Sequence, residues 1–212
     1  PPMSFGNQPI DGGNLILTED EKDELLRVEP QAAPFVRMFL GAEEFINKLS
    51  RYCLWLKNST PDELRRMPEV RKRIEAVKKF REASARPATQ ELALTPTQFA
   101  FVSHPNTDYL LVPSVGSERR QFVPIGFMPP EIIASNLCLI VSGATLYHFG
   151  ILSSTMHNAW IRYVAGRLKS DFRYSASIVY NNFPWPDLPS PGADAPPSPA
   201  SRRGKVLKEK IE

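Results

Sequence analysis

Tyr109-Leu-Leu-Val-Pro-Ser-Val-Gly-Ser-Glu-Arg-Arg-Gln-Phe-Val-Pro-Ile-Gly-Phe127 decides the fold class. Residues 109–115 and 121–127 are apolar and β-branched, and residues 116–120 between them are polar, as two strands joined by a hairpin loop would be. Pro113 and Pro124 each lack a ladder donor, which predicts edge or irregular strands. Residues 99–103 and 137–141 read as two further short strands, the second closed by Ser142-Gly143.

Upstream of residue 98 the pattern is helical. Thr18 with Glu21 three positions on forms a capping box, and Pro30 stops the acidic helix it opens. Pro34, Phe35, Val36, Phe39 and Leu40 before Gly41 predict another short helix, and residues 51–56 a strand. Thr60-Pro61-Asp62-Glu63 combines an N-cap, a first-turn proline and a capping-box carboxylate. After Pro68 a longer helix is expected over residues 69–85, with Val70, Ile74, Val77 and Phe80 as its apolar stripe and most basic residues on the wet side. Residues 146–164 read as a helix broken near Ser153-Ser154, its apolar face Met156, Ala159, Trp160, Tyr163 and Val164, with Gly166 marking its end.

These signals predict an α+β fold: a small irregular, mostly antiparallel sheet with flanking helices, plus a C-terminal helical segment. The expected organisation is a domain at residues 1–127, a helical segment at 128–188 packed on it, and a disordered or partly helical tail at 189–212. The opening Pro1-Pro2-Met3 reads as a cut within a longer polypeptide.

A chain of 212 residues with 42% hydrophobic and 23% charged side chains can bury a real core. No apolar run approaches the roughly 18–20 residues that span a bilayer, and no signal-peptide pattern opens the chain, so a cytoplasmic location is expected. Cys53 and Cys138, in apolar surroundings, read as buried reduced thiols. Net charge is only +3, but it is unevenly spread. Residues 65–86 hold nine basic side chains against three acidic, whereas residues 19–29 hold six acidic against two basic.

Catalytic signatures are missing. His104, His148 and His157 show no metal-ligand spacing and read as structural histidines. An enzyme with its own active site would need folding to unite one of them with acidic residues. Asp11-Gly-Gly-Asn14 lacks the lysine of a phosphate-binding loop and reads as a connector. An amino-methyltransferase needs a glycine-rich turn for its cofactor and an Asn/Asp-Pro-Pro-aromatic tetrad. Asn181-Asn-Phe-Pro-Trp-Pro186 has those letters in the wrong order and reads as a packing and turn segment.

What remains is chemistry suited to duplex recognition. Ser117, Glu118, Arg119 and Arg120 place a hydroxyl, a carboxylate and two forked cations on one loop, the groups that read base edges. A solvated hairpin tip explains the same residues. Arg71, Lys72, Arg73, Lys78 and Lys79 would serve as phosphate contacts, or as a solvated helix face. In Gly166-Arg-Leu-Lys-Ser-Asp-Phe-Arg-Tyr-Ser175, Arg167, Lys169 and Arg173 alternate with aromatics, and suit either a DNA backbone or a neighbouring domain.

Ser4-Phe-Gly-Asn-Gln-Pro-Ile-Asp-Gly-Gly-Asn-Leu15, Ala144-Thr-Leu-Tyr-His-Phe-Gly through Trp160-Ile-Arg162, Gly166 to Ser175, and Val179-Tyr-Asn-Asn-Phe-Pro-Trp-Pro186 together resemble the last part of the MmeI-like single-chain restriction–modification enzymes. In that family a nuclease, an adenine-N6 DNA methyltransferase and a target-recognition domain share one polypeptide. The resemblance implies that this chain reads double-stranded DNA, with Ser117, Glu118, Arg119 and Arg120 as candidate base readers. It implies a methyltransferase domain of the same parent chain as second partner, and S-adenosylmethionine as the parent's cofactor, with none in this fragment. A module that docks on the methyltransferase without reading bases is the alternative.

Overall fold

A computed structural model describes residues 1–186. The two capping boxes start helices where expected. Thr18 Oγ1 accepts from the Glu21 amide at 3.2 Å, and the Glu21 carboxylate accepts from the Thr18 amide at 2.9 Å, opening α1 (Glu19–Val28). Thr60 and Glu63 repeat the exchange at α3 (Pro61–Arg65). Pro68 is the first residue of α4 (Pro68–Glu82), whose free N-terminal amides are capped from a distance. The buried Glu29 carboxylate accepts from the amides of Glu69 and Val70, a favourable place for a negative charge.

The fold is α+β, but the expected single sheet is three small ones. The first takes strands β1 (Met3–Phe5), β9 (Cys138–Ser142), β5 (Tyr109–Pro113) and β7 (Gly126–Met128), in that order and all antiparallel. Both its faces are covered. Leu110, Val112, Leu139 and Val141 pack on one side, Tyr109, Leu111, Cys138 and Ile140 on the other. Double burial explains why these strands read as continuous apolar runs rather than alternating ones. Pro113 lies beyond the last residue paired with β7, so its missing donor leaves no gap in that ladder.

The second sheet orders β2 (Ile16–Leu17), β4 (Tyr52–Leu54), β3 (Val36–Leu40) and β8 (Ile132–Ala134). Its β3–β8 pair is parallel. Residues 36–40, expected to be helical, are a strand because β4 and β8 flank them on both sides, and only Pro30–Phe35 winds into a 3₁₀ helix. The short α2 (Ala42–Asn47) follows β3, and the short α5 (Pro87–Glu91) follows α4. The third sheet orders β10 (Gly166–Leu168), β11 (Asp171–Arg173) and β6 (Val115–Gly116). Residues 99–103 contribute one isolated bridge, Phe101 to Gln8.

The helix expected over residues 146–164 breaks where the two serines stand, into α6 (Leu146–Leu152) and α7 (Thr155–Val164), with Ser154 capping the second. The sheets continue across residue 128. β7 straddles the expected boundary at 127, and β8 and β9 complete sheets begun by β3, β1 and β5. The expected tail at 189–212 lies outside the described residues.

α4 carries the largest departure from the sequence pattern. Phe80, expected in the apolar stripe, is 47% exposed and lies over Gly12, while Arg81 is fully buried. Position 81 continues the spacing Val70, Ile74, Val77, so the helix points this cation inward. Its Nε donates to the Ile10 carbonyl at 2.8 Å. Nη1 donates to Leu92 and Thr95 at 2.9 and 3.0 Å, and Nη2 to Pro9 and Gln98 at 2.9 and 2.7 Å. All five guanidinium N–H groups thus meet backbone oxygens. Ile10 sits at φ 44, a left-handed conformation rare for a β-branched residue, with its carbonyl and its neighbour's both held by Arg81.

Lysine offers three donors and no fork, so Arg81→Lys should leave at least two of the five carbonyls without a donor. The expected loss is about 2–5 kcal/mol, read as a lower urea midpoint with unchanged slope.

Candidate nucleic-acid interface

The third sheet exists because one strand changes partners. β5 ends at Pro113, Ser114 turns the chain, and β6 continues it along β11, with Phe172 opposite Gly116 and Arg173 opposite Val115. Ser114 joins both sheets, its amide donating to Leu137 O at 3.0 Å and its carbonyl accepting from Tyr174 N at 2.8 Å. β10 and β11 form a tight hairpin whose turn holds Lys169 at φ 56.

This sheet brings together two groups of candidates that are far apart in sequence. Ser117, half-buried, and Glu118, Arg119 and Arg120, exposed, leave the end of β6. Arg167, Lys169 and Arg173 project from the exposed β10–β11 hairpin. The two are tied directly. Glu118 lies 3.5 Å from the Arg167 guanidinium, and the Glu118 amide donates to Asp171 at 3.3 Å. The Arg167 guanidinium lies 4.0 Å above the Phe172 ring, which also has Arg162 at 5.4 Å. The loop, the hairpin and the adjoining turn of α7 together carry six cations (Arg119, Arg120, Arg162, Arg167, Lys169 and Arg173) against two carboxylates, Glu118 and Asp171. Arg119, Arg120, Lys169 and Arg173 have no ion-pair partner among the described residues.

The loop is held from beneath. Arg119 N donates to Ser117 Oγ at 3.3 Å and Arg120 N to Ser117 O at 3.1 Å, which curls the tip. Arg162 donates to Arg120 O at 3.1 Å, and Asn158 Oδ1 accepts from Val123 N at 2.8 Å. Both anchors belong to α7, four residues apart on one helix face. Sequence reading missed them, although that spacing was visible. A groove beside the sheet is lined by Gln8, Ser114, Asn136, Arg167 and Arg173, with the exposed apolar side chains Phe5, Phe101, Leu137, Leu168 and Ile178.

The α4 cations are placed differently. No hydrogen bond or ion pair among the described residues joins them to the third sheet. Lys72 pairs with Glu69 at 2.6 Å and Lys78 with Glu82 at 3.9 Å. Arg73 bridges to Glu21 of the acidic helix at 3.2 Å, so the basic and acidic arms meet and partly cancel. Arg71 and Lys79 have no ion-pair partner among the described residues.

The histidines do not converge on carboxylates. His104 Nε2 lies 2.7 Å from Pro130 O, and His148 Nδ1 accepts from the Thr145 amide, capping α6. His157 Nε2 lies 2.9 Å from the Tyr174 hydroxyl, in an aromatic nest with Phe183. No cluster of three metal-ligating side chains occurs among the described residues, and no helix there is long and apolar enough to cross a membrane. Burial raises the thiols of Cys53 and Cys138, as inert structural cysteines require. The Asp11–Asn14 connector is a closed turn. The Asp11 carboxylate accepts from Leu15 N, and a side chain at Gly12 would strike the Phe80 ring at 2.7 Å. That geometry does not fit a cofactor cradle.

Comparison with known proteins gives a consistent picture. Residues 1–187 match the family model described as MmeI, target recognition domain. The chain is 43% identical over 189 residues to DNA methyltransferase A of Bacillus subtilis (strain 168), covering 89% of this chain and 21% of that protein. It superposes on a solved structure of the type IIL restriction–modification enzyme MmeI in complex with DNA, with a TM-score of 0.87 and 47% identity. That match covers 90% of this chain and 25% of the other. The chain thus spans a quarter or less of the length of these relatives.

Burial lowers the His157 imidazole to about 4 from an ordinary 6.5. Between these values the unfolded chain has taken up a proton that the folded chain refuses. Stability is therefore full above pH 6.5 and falls as pH drops towards 4. The loss from this group is about 3 kcal/mol at 1.36 kcal/mol per unit. Urea denaturation at pH 7 and pH 4.5 should show a smaller decline for His157→Phe than for the wild type.

Proposed function

The chain belongs to the family of MmeI target recognition domains, and from that premise we propose that it reads double-stranded DNA for an adenine-N6 methyltransferase within a combined restriction–modification enzyme. The observation that carries the reading is the third sheet. It is an exposed ribbon and loop with a surplus of unpaired cations, built on a rigid base. Phosphate neutralisation needs such a surplus, and base discrimination needs forked or carboxylate side chains held in a fixed place.

In this reading Arg119 and Arg120 present guanidinium forks to guanine O6 and N7, Glu118 accepts from cytosine N4, and Ser117 bonds either way. Arg167, Lys169 and Arg173 neutralise phosphates from the adjoining hairpin. Arg71 and Lys79 extend that footprint. Arg73, Lys72 and Lys78 add less, since each already has an acidic neighbour. The chain's task is positioning. It holds the duplex while a methyltransferase domain of the longer protein rotates an adenine out of the stack. S-adenosylmethionine would belong to that other domain, in keeping with the Phe80 ring that covers Gly12 in the one glycine pair of the connector. The expected setting is the cytoplasm, where such an enzyme meets DNA.

A second reading has its own observation. The groove with Phe5, Phe101, Leu137, Leu168 and Ile178 exposes more apolar surface than DNA contact requires, and would suit docking on the methyltransferase without base reading. Fluorescence anisotropy against duplex DNA over a salt series separates the two. The recognition reading expects binding whose logarithm falls linearly with the logarithm of salt concentration, while absence of binding at low salt would favour docking. Within the recognition reading, Arg119→Ala or Arg120→Ala should relax the preference at one base pair by about 1–3 kcal/mol. Lys169→Ala should instead weaken every duplex alike and make the salt slope shallower by about one.

A further inference from the structure

We infer that His157 and Asn158 of α7 are positioning residues for base discrimination, fixing from beneath how the 117–120 loop and the directly paired β10–β11 hairpin are presented, without touching DNA. The inference rests on the DNA-reading function proposed above.

The two side chains are adjacent in sequence, are buried, and hold different pieces of the interface. His157 reaches the hydroxyl of Tyr174, the residue directly after Arg173 at the end of β11. Asn158 Oδ1 accepts from Val123 N in the extended segment between the loop and β7, while its Nδ2 donates to Ser154 O at 2.8 Å, fixing the amide's orientation. One rigid helical turn therefore clamps both halves. Ser154 in turn caps α7, its Oγ accepting from the His157 amide at 3.1 Å. Trp160, on the same helix, donates to Val179 O at 3.0 Å and holds the π-helical turn Ala176–Tyr180 that follows the hairpin. Among these links, only those through His157 and Asn158 reach the reading elements by buried side-chain polar groups. Arg162 is exposed and its bond to Arg120 O competes with water.

Packing alone would satisfy an apolar side chain at position 157, where the ring already meets Phe183 at 4.6 Å between centroids. A histidine there leaves Nδ1 buried without a partner, a cost that the Tyr174 bond must offset. That is expected of a contact kept for geometry, since an oxygen–nitrogen bond fixes distance and angle more narrowly than ring packing does.

The test uses the full-length protein and a pool of randomised DNA duplexes. Bound sequences yield a preferred site, and affinities are then measured for that site and for single-base substitutions. Tyr174→Phe and His157→Phe remove the same hydrogen bond from opposite ends and keep the rings. Each should narrow the gap between preferred and substituted duplexes by about five-fold, the effect of one net hydrogen bond. The double variant should lose no more than either single one. Asn158→Leu should act likewise, since it removes the acceptor for Val123 N and the donor to Ser154 O together. Affinity for unrelated duplex should not change in any of them.

A wild type that discriminates while Tyr174→Phe, the mildest variant, discriminates equally well overturns the clamp and leaves the DNA reading standing. So does a parallel loss on all duplexes, which would mark a purely structural bond. A wild type that binds no duplex overturns the DNA reading itself, and the clamp with it.

Discussion

Arg81 is the constraint on which the remaining architecture depends. Five backbone carbonyls, at Pro9, Ile10, Leu92, Thr95 and Gln98, point into one place and cannot pair with each other. A buried carbonyl without a donor costs free energy comparable to a lost hydrogen bond, so converging five requires a compact donor with five N–H groups. Only a guanidinium meets that description. Around it runs the connector at residues 5–14, which is the seam of the molecule. Asn7, fully buried, donates to Ala134 O and accepts from Ser103 N. Gly6 passes so close to Ser135 that a methyl group would lie 2.2 Å from its carbonyl oxygen. The connector thus joins β1 of one four-stranded sheet to β2 of the other.

From that base the candidate interface grows outward in steps. The double-faced sheet around β5 and β9 is too well packed to yield, and β5 extends past its partners into the three-stranded ribbon. Cations collect there because a thin ribbon has little interior, and its side chains have nowhere to go except into water or onto a partner. On α4, by contrast, acidic neighbours lie within one helical turn, and much of the positive charge is answered locally. The most basic stretch of sequence is therefore not the most available positive surface.

Features written in local chemistry were legible from the sequence. The boxes at Thr18/Glu21 and Thr60/Glu63 and the helix break at Ser153-Ser154 each depend on residues within four positions of one another. The α+β class followed from the change of pattern near residue 98. Features set by distant partners were hidden. Residues 36–40 look helical in isolation and are a strand because β4 and β8 come to them from 14 residues or more away. Arg81 looks like one more solvated cation by its chemistry, and although its place in the Val70, Ile74, Val77 spacing points inward, the five carbonyls that meet it come from distant segments. The hairpin at residues 166–173 shows in the sequence only as a charged and aromatic motif, since its third strand lies 50 residues earlier. Its cations and those of the loop look like separate groups for the same reason.

The change of partner at Ser114 has a mechanical meaning. Because β6 is the direct continuation of β5, the ribbon is no swinging lobe on a hinge. A load on its outer edge runs along one unbroken backbone into a strand bonded on both sides, by β9 and β7. Such a strand is loaded in shear, with many bonds sharing the force at once, rather than being peeled away one bond at a time. The surface proposed to meet a stiff, bulky ligand is in this way fastened to a sheet packed on both faces, so that a push on it is shared by both neighbouring strands.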